Sequence, residues 1–302
     1  MMHSLALSLL LGFELSYYLL ILQTGITEYY NSDLITLLPM FIGGIAGTLL
    51  AGVSWGKIKK PIHKIYIALS LQLLLSFLYP DFNAFTLGIL GIAVGLMAPL
   101  GIYLFKGVHQ NKFLLALVIA YTTGTYFFNT DADSRMWMAV LFTSISLVSS
   151  VVLKNYTPQI EKIAKAQNIV FYLPLMLWIF LDSNLFETMS RHEGIDIWSS
   201  HTYTIICFHI LGLISAYYAR TQGNKQHIFI ALLFIGSYSF SYLEMPLVLA
   251  IIYPFTISYY NVIVFSLLSK ENDLKILSVM MVFVGWIASG LGLGLALSGL
   301  LH

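Results

Sequence analysis

The chain has 302 residues, of which 58% are hydrophobic and only 10% are charged, and its mean hydropathy is +0.83. A soluble domain carries about 25% charged residues, so this composition excludes a soluble globular protein. The sequence therefore predicts a protein embedded in lipid. The formal net charge is +1 and no basic stripe is present, so no nucleic-acid partner is predicted.

Eleven apolar blocks recur along the chain, separated by short polar connections. The hydrocarbon core of a bilayer takes about 20 helical residues, and lipid offers no hydrogen-bond partners to the backbone. Each block therefore predicts a membrane-spanning helix, and no block resembles a cleaved leader. The predicted spans are 4–23, 34–55, 64–79, 84–105, 113–129, 136–153, 169–188, 202–219, 227–243, 246–268 and 276–301.

The positive charges fix a predicted orientation. With the first residue in the cytoplasm, the inner connections are GKIKKPIHK, KGVHQNK, KNYTPQIEKIAKAQN, RTQGNKQ and SKENDLK. They contain every Lys and Arg except Arg135 and Arg191, as the positive-inside rule requires. We expect a multi-pass protein of the cytoplasmic (inner) membrane, with a cytoplasmic N-terminus and, because the count is odd, His302 outside.

The longest inner connection, 154–168, separates six spans from five. Ile160, Ile163 and Ala164 fall on one helical face and lysines fall elsewhere, which predicts an amphipathic helix on the membrane surface. We therefore expect an all-α polytopic membrane protein of about eleven transmembrane helices in two pseudo-symmetric bundles. These are a six-helix bundle (1–153), the linker (154–168) and a five-helix bundle (169–302).

Glu14 and Asp182 lie in the first span of each half, in the stretches GFELSYYLL and FLDSNLFET. A charged group at the bilayer centre costs about 2.5–3.5 kcal/mol on insertion scales, so such groups face a cavity or a partner. Burial also favours the neutral form of a carboxyl group, which lets it take up a proton. Both residues are predicted to bind substrate or a proton. The alternative is a packing role, with Glu14 hydrogen-bonded to Tyr17 or Tyr18.

Four further residues are candidate contacts for substrate or proton. Asn184 could share a ligand with Asp182, and His209 is a mid-span candidate for proton relay. The other two are Tyr18, four residues after Glu14, and Asn261, the polar centre of the tenth span. Glu187 lies about 140° around the helix from Asp182 and is predicted to belong to the outer rim, beside Arg191.

A metal site is the alternative for the outer side. His192 and His201 could join Asp182 as ligands, since imidazole and carboxylate suit transition metals, but the spacing matches no compact ligand motif. A membrane enzyme acting on lipid or quinone would use the same cluster. No HExxH, GxSxG, nucleotide loop or paired-cysteine motif is present, so we predict no catalytic residue, no cofactor and no enzymatic activity.

Six spans, an inner linker and a second set of spans resemble the major facilitator superfamily. Between its second and third spans that family carries a Gly-x-x-x-Asp-Arg-x-Gly-Arg-Arg type motif. Here Gly52-Val-Ser-Trp-Gly56-Lys57-Ile-Lys59-Lys60 keeps the first glycine and the basic cluster, and lacks the aspartate and the second glycine. The family usually has twelve spans, whereas eleven are predicted here. The resemblance implies two parallel repeats whose first helices line a central cavity, and solute transport by alternating access.

The predicted function is secondary active transport, coupled to protons, by a monomer. Two membrane acids without a mid-span Lys or Arg favour a cationic, metal-ion or neutral or zwitterionic solute over an anion. Two alternatives remain: a non-transporting membrane assembly protein, and an exporter of the drug/metabolite transporter type with inverted repeats. Close helix packing is predicted at Gly43-Gly44-x-x-Gly47, Gly91-x-x-x-Gly95 and Gly290-x-Gly292-x-Gly294.

Overall fold

The computed structural model describes residues 2–31, 33–56, 58, 60–107, 110–158, 172–191, 195–218 and 223–298. Within these ranges the ordered elements are helices, and the one extended feature is an isolated bridge between Trp55 and Ile58. The amphipathic helix predicted within 154–168 lies largely outside the described residues.

The helices follow one another with short connections. They are α1 (Met2–Tyr17), continued by a π-helical segment (Tyr18–Ile26) and α2 (Thr27–Tyr29), α3 (Leu34–Gly52), α4 (Pro61–Ser76), α5 (Ala84–Leu104), α6 (Gln110–Tyr126), α7 (Met136–Val152), α8 (Leu173–Arg191), α9 (Trp198–Tyr218), α10 (Asn224–Tyr242), α11 (Pro246–Leu268), and α12 (Leu274–Met281), continued by a second π-helical segment (Val282–Ile287) and α13 (Ala288–Leu297).

Each of these helical stretches overlaps one of the predicted apolar blocks, and a short 3-10 helix (Ala132–Ser134) lies between two of them. Among the described residues, five stretches are long and apolar enough to cross a membrane: Met2–Tyr29, Leu34–Gly52, Ala84–Leu104, Pro246–Leu268 and Leu274–Leu297. The chain is therefore a helical, membrane-embedded protein. Eleven crossings and a division into six and five remain predictions.

The chain divides into two compact units. Unit 1 comprises residues 1–166 and 268–282, and unit 2 comprises 167–267 and 283–302. The first boundary lies inside the predicted linker. The second was not anticipated, because it assigns α12 to unit 1 and α13 to unit 2, although the two are joined by one π-helical segment.

In unit 1, α3 and α5 pack backbone against backbone. A Cβ added at Gly43, Gly47, Gly91 or Gly95 would overlap backbone atoms of the opposite helix. The hydroxyl of Thr48 donates to the Gly95 carbonyl at 3.0 Å and so joins the two helices. The close packing predicted for these glycines is confirmed, because a side chain at any of the four positions would separate the backbones.

Gly52, the first glycine of the segment that resembles the family motif, also has a structural role in unit 1. A Cβ on Gly52 would lie 2.7 Å from the Cα of Lys275, so Gly52 lets the end of α3 approach the start of α12. The Lys64 ammonium donates to the carbonyls of Ala51 and Val53, at 2.8 and 2.6 Å, and caps the same helix end. A lysine at a helix C-terminus is favourable because the last carbonyls carry partial negative charge.

Arg135 anchors the loop before α7 to the π-helical segment after α1. Its side chain is 1% exposed and donates to Leu20 O at 2.9 Å and Thr24 Oγ1 at 2.6 Å, and also to the carbonyls of Phe128 and Thr130. Burial lowers the pKa of Arg135, against the opposing effect of nearby anionic groups. The widened turn of a π-helix exposes carbonyls that such a guanidinium can bind.

Lys106, just after α5, is a second buried cation of unit 1. Its Nζ donates to the carbonyl of Glu271 and lies 4.6 Å from the centre of the Tyr103 ring. Burial lowers the pKa of Lys106 to about 8, although the charges of Glu271 and Asp273 act in the opposite direction.

In unit 2, α8 packs against α13 and α10. A Cβ on Gly292 would lie 2.5 Å from the Phe180 carbonyl, so this glycine permits close contact with α8. A Cβ on Gly290 or Gly294 would meet no atom within 4 Å in the part of the chain that the structure describes. The close packing predicted for Gly290 and Gly294 is wrong, because residues two apart point about 200° away from each other around a helix.

Candidate functional site

Glu14 lies in the interior of unit 1, where it meets polar side chains from two other helices. It is 7% exposed, and the amide of Gln72, on α4, donates to its Oε1 at 3.2 Å. Ser146, on α7, is a second polar neighbour of Glu14, and its hydroxyl donates to the Leu10 carbonyl at 3.3 Å. These partners come from helices far along the chain, so the carboxyl group is held by tertiary contacts between α1, α4 and α7.

The amide of Gln72 is itself held in place. Its Nε2 also donates to the Thr143 hydroxyl at 3.0 Å, and the Gln72 side chain is fully buried. Its Oε1 is buried and has no hydrogen-bond partner among the described residues. The Tyr17 hydroxyl, one of the two partners predicted for Glu14, lies 3.2 Å from the hydroxyl of Ser76.

Asp182 lies in unit 2, on α8, and two tyrosines of α11 bind its carboxylate. Tyr253 donates to Oδ1 at 2.9 Å and Tyr260 donates to Oδ2 at 2.5 Å. The tyrosines are seven residues apart, which is two helical turns, so they project from the same face of α11. Both are 2% exposed, whereas Asp182 is partly accessible. The result is a carboxylate with one hydroxyl on each oxygen.

The next two residues of α8 also have partners from other helices. The Ser183 hydroxyl donates to the Ser289 carbonyl at 2.8 Å. Asn184 donates to the Gly292 carbonyl at 3.4 Å and accepts a hydrogen bond of 2.9 Å from Tyr238. Asn184 is about 200° around the helix from Asp182, so its side chain is engaged on the other side of α8.

His209, on α9, contacts α11 as well, but on another face. Its Nδ1 lies 2.7 Å from the Ser258 hydroxyl, and the ring also forms a hydrogen bond to the backbone of Pro254. Pro254 and Ser258 lie about 100° and 140° around α11 from Tyr253. The described contacts therefore place His209 and Asp182 beside different faces of α11.

The remaining candidate contacts are placed as follows. Tyr18 begins the π-helical segment and is half-buried, and Asn261 follows Tyr260 on α11 and is also half-buried. Glu187, predicted to belong to the outer rim beside Arg191, is buried, with only 4% of its surface exposed. Its neighbours Leu185 and Met189 are buried too, which shows that α8 is covered at this level.

The histidines proposed as metal ligands are only partly described. His192 lies outside the described residues, and His201 lies at a kink in α9, with φ −132° and ψ 24°. No group of three or more His, Cys, Asp or Glu side chains suited to a metal ion occurs among the described residues. Nearby, Asp196 caps α9. Burial alone would raise the pKa of Asp196, but hydrogen bonds from Ser199 and Trp198 leave it below its usual value.

Sequence reasoning missed the partners of both carboxyl groups. Tyr253 and Tyr260 were not singled out among 19 tyrosines, although their spacing of seven residues places them on one face of the helix. Gln72 is the one amide in LSLQLLLS, and an amide in an apolar helix was a usable signal. Glu14 belongs to unit 1 and Asp182 to unit 2, so the expectation that they face one another stays a prediction.

Comparison of the sequence with protein-family models finds no matching family, and comparison with curated proteins finds no similar protein.

Proposed function

We propose that the chain is a secondary active transporter, resembling the major facilitator superfamily, that moves a small solute across the cytoplasmic membrane by alternating access. The solute is a cation, a metal ion or a neutral or zwitterionic molecule, and the coupling ion is the proton. The polypeptide acts as a monomer with its N-terminus in the cytoplasm.

The observation that carries this proposal is the tyrosine-bound carboxylate of Asp182. Its two oxygens accept hydroxyl hydrogen bonds from Tyr253 and Tyr260. Asp182 nevertheless remains partly exposed on the surface of unit 2. An acidic group within an apolar helix is costly unless it faces a cavity or a partner, and such groups mark the pathways of ions and substrates. Hydroxyl donors that stabilise the carboxylate can be exchanged for an arriving cationic group.

The charge of the surroundings supports the choice of solute. Among the described residues, no ion pair involves Glu14 or Asp182, so neither is neutralised by a fixed cation there. A membrane carboxylate without a basic partner attracts positive charge and repels anions.

The test is uptake into proteoliposomes that contain the purified full-length chain, with a panel of organic cations, divalent metal ions and zwitterions, with and without a pH gradient. Asp182→Asn is expected to lower transport of the active solute more than tenfold. Asp196→Asn is the matched control, because that carboxylate caps a helix, and it should transport like the wild type.

Two results would overturn the proposal. One is the absence of transport for the whole panel by a folded wild-type protein. The other is transport by Asp182→Asn at the wild-type rate, which would favour a packing role for the carboxylate and a non-transporting assembly protein.

A further inference from the structure

Aromatic side chains from three helices of unit 2 form a cluster with Asp182. Tyr253 and Tyr260, on α11, bind its two oxygens, at 2.9 and 2.5 Å. The ring of Tyr260 lies 5.6 Å from the ring of Phe234 on α10. Phe234 in turn stacks on Trp178 of α8, with 5.9 Å between the ring centres and 10° between the ring planes. The carboxylate therefore belongs to a continuous set of aromatic rings.

The spacing along α8 and α10 places these rings close to the carboxylate. Trp178 is four residues before Asp182, which is about one turn of α8, so the two side chains project from the same side of that helix. Phe234 is likewise four residues before Tyr238 on α10. The Tyr238 hydroxyl donates to the carbonyl of Leu181, the residue before Asp182, at 2.8 Å. The cluster is thus built from matching faces of three helices.

Two features point to a ligand at this cluster. Asp182 remains partly exposed, although Trp178, Phe234, Tyr253 and Tyr260 are only 2 to 5% exposed. The indole N–H of Trp178 is buried and has no hydrogen-bond acceptor among the described residues. A buried donor without a partner is destabilising, and in native structures its acceptor is often a water or a ligand.

The charges along the same helices favour a cation as that ligand. No ion pair involves Asp182 in the part of the chain that the structure describes. The sequence of α11 contains no Lys, Arg or His, and on α8 the basic residue is Arg191, nine residues after Asp182. On α10 the nearest basic residue to Tyr238 is His227, eleven residues earlier and about 16 Å away along the helix.

An organic cation suits this combination better than the other solute classes. Its charge is attracted both by the carboxylate and by the faces of aromatic rings, of which Trp is the strongest partner. A metal ion needs several oxygen or nitrogen ligands, and both oxygens of Asp182 already accept hydroxyl hydrogen bonds. A zwitterion brings an anionic group, for which the described part of the cluster holds no basic partner.

We propose that Asp182, Trp178 and the two tyrosines of α11 bind an organic cation of the quaternary ammonium or phosphonium class, with its charged centre beside the carboxylate. Its apolar groups contact the aromatic rings, and an acceptor atom on the ligand, or a water that enters with it, takes the indole N–H of Trp178. The role of this ligand as the transported solute rests on the proposed function.

Equilibrium binding of radiolabelled tetraphenylphosphonium to the purified full-length protein in detergent tests the site. We expect saturable binding that tetraphenylborate, an anion of the same shape, does not displace. Asp182→Asn should weaken binding by about tenfold or more, because it removes the counter-charge. Trp178→Leu should weaken it about fivefold, whereas Trp178→Phe keeps an aromatic ring and should stay within about twofold of the wild type.

The possible outcomes separate this inference from the transport proposal. The organic-cation site is overturned by an absence of saturable binding, by equal binding of tetraphenylborate, or by unchanged affinity in Trp178→Leu. If Trp178→Leu does not fold, Phe234→Leu takes its place, and the comparison of the two probes on the wild type needs no variant. Binding as expected by a protein that transports nothing keeps the site and removes the transport proposal. Transport of a metal ion or a zwitterion that depends on Asp182, without binding of tetraphenylphosphonium, keeps transport and removes the site.

Discussion

Two carboxyl groups of the same chemistry occupy apolar helices of this protein, and their surroundings differ in kind. Glu14 accepts one hydrogen bond, from the Gln72 amide, whereas Asp182 receives one tyrosine hydroxyl on each oxygen. The carboxylate of Asp182 therefore has two hydrogen-bond donors where Glu14 has one. The difference teaches that the function of a membrane acid is set by how many donors and acceptors its neighbours supply, because lipid supplies none.

The largest expected effect comes from removing both donors of Asp182. The double change Tyr253→Phe and Tyr260→Phe should lower the free energy of unfolding by about 3 kcal/mol, since hydrogen bonds to charged groups contribute about 1.5–3 kcal/mol each and some of the loss is relieved by relaxation. Thermal unfolding in detergent measures this.

Tyr259→Phe is the control for that pair, because Tyr259 is equally buried on the same helix and its ring packs against Phe229 and Phe255. It should be nearly neutral. Equal losses of unfolding free energy for the double change and for the control would mean that the hydroxyls of Tyr253 and Tyr260 do not stabilise the protein through Asp182.

Lys106 is expected to make the stability of the protein depend on pH in the alkaline range, where the two carboxyl groups are not compared. Its pKa is about 8 in the folded protein and near 10.5 in an unfolded chain, so burial of the charged form destabilises the fold below pH 8. This cost is relieved as pH rises from about 8 to 10.5, because the unfolded chain then binds more protons, and stability should rise by up to about 3 kcal/mol.

Lys106→Met should remove that rise. Stability measured from pH 7 to 10.5 should differ between the two proteins in slope, with the wild type gaining relative to the variant. An identical slope would show that Lys106 keeps an ordinary pKa.

Amide substitutions compare the two acids directly. Asp182→Asn should cost about 2 kcal/mol of unfolding free energy, because it removes the charge that strengthens two hydroxyl hydrogen bonds. Glu14→Gln should cost less, about 1 kcal/mol, because Glu14 accepts a single hydrogen bond, from the Gln72 amide, where Asp182 accepts two. Thermal unfolding at neutral pH measures both costs. Equal costs would contradict the proposed difference between the surroundings of Glu14 and Asp182.

The smallest effect is expected at Ser146, whose hydroxyl donates to the Leu10 carbonyl. Ser146→Ala should destabilise the protein by about 1 kcal/mol, the usual contribution of a neutral hydrogen bond, and Ser149→Ala should have no measurable effect. A loss well above 3 kcal/mol for Ser146→Ala would show that the hydroxyl does more than bond the Leu10 carbonyl.

The helices could be predicted well because apolar length is a strong signal in a membrane protein. The stretches Leu34–Gly52 and Pro246–Leu268 fall on predicted blocks, and the α3 and α5 glycines pack as expected. The two carboxyl groups could be singled out for the same reason, since charge is costly in apolar surroundings.

What the sequence could not reveal are contacts between distant helices. The bonds from Gln72 to Glu14 and from Tyr253 to Asp182 join residues that are 58 and 71 positions apart, and periodicity within one helix carries no information on its partner. The burial of Glu187 was missed for the same reason. The assignment of α12 to unit 1 was missed because a continuous apolar helix gives no sign that its two ends pack with different parts of the chain.

The glycine contact between α3 and α5 has a mechanical consequence. Packed helices usually slide past one another through small rearrangements of the side chains between them. Here, at Gly43, Gly47, Gly91 and Gly95, backbone carbonyls fill the space that such side chains would occupy. Because no side chains separate the two backbones, α3 and α5 are expected to move together as one rigid body. A conformational change of unit 1 that moves them should then bend the chain at the ends of these two helices and not in the middle of them.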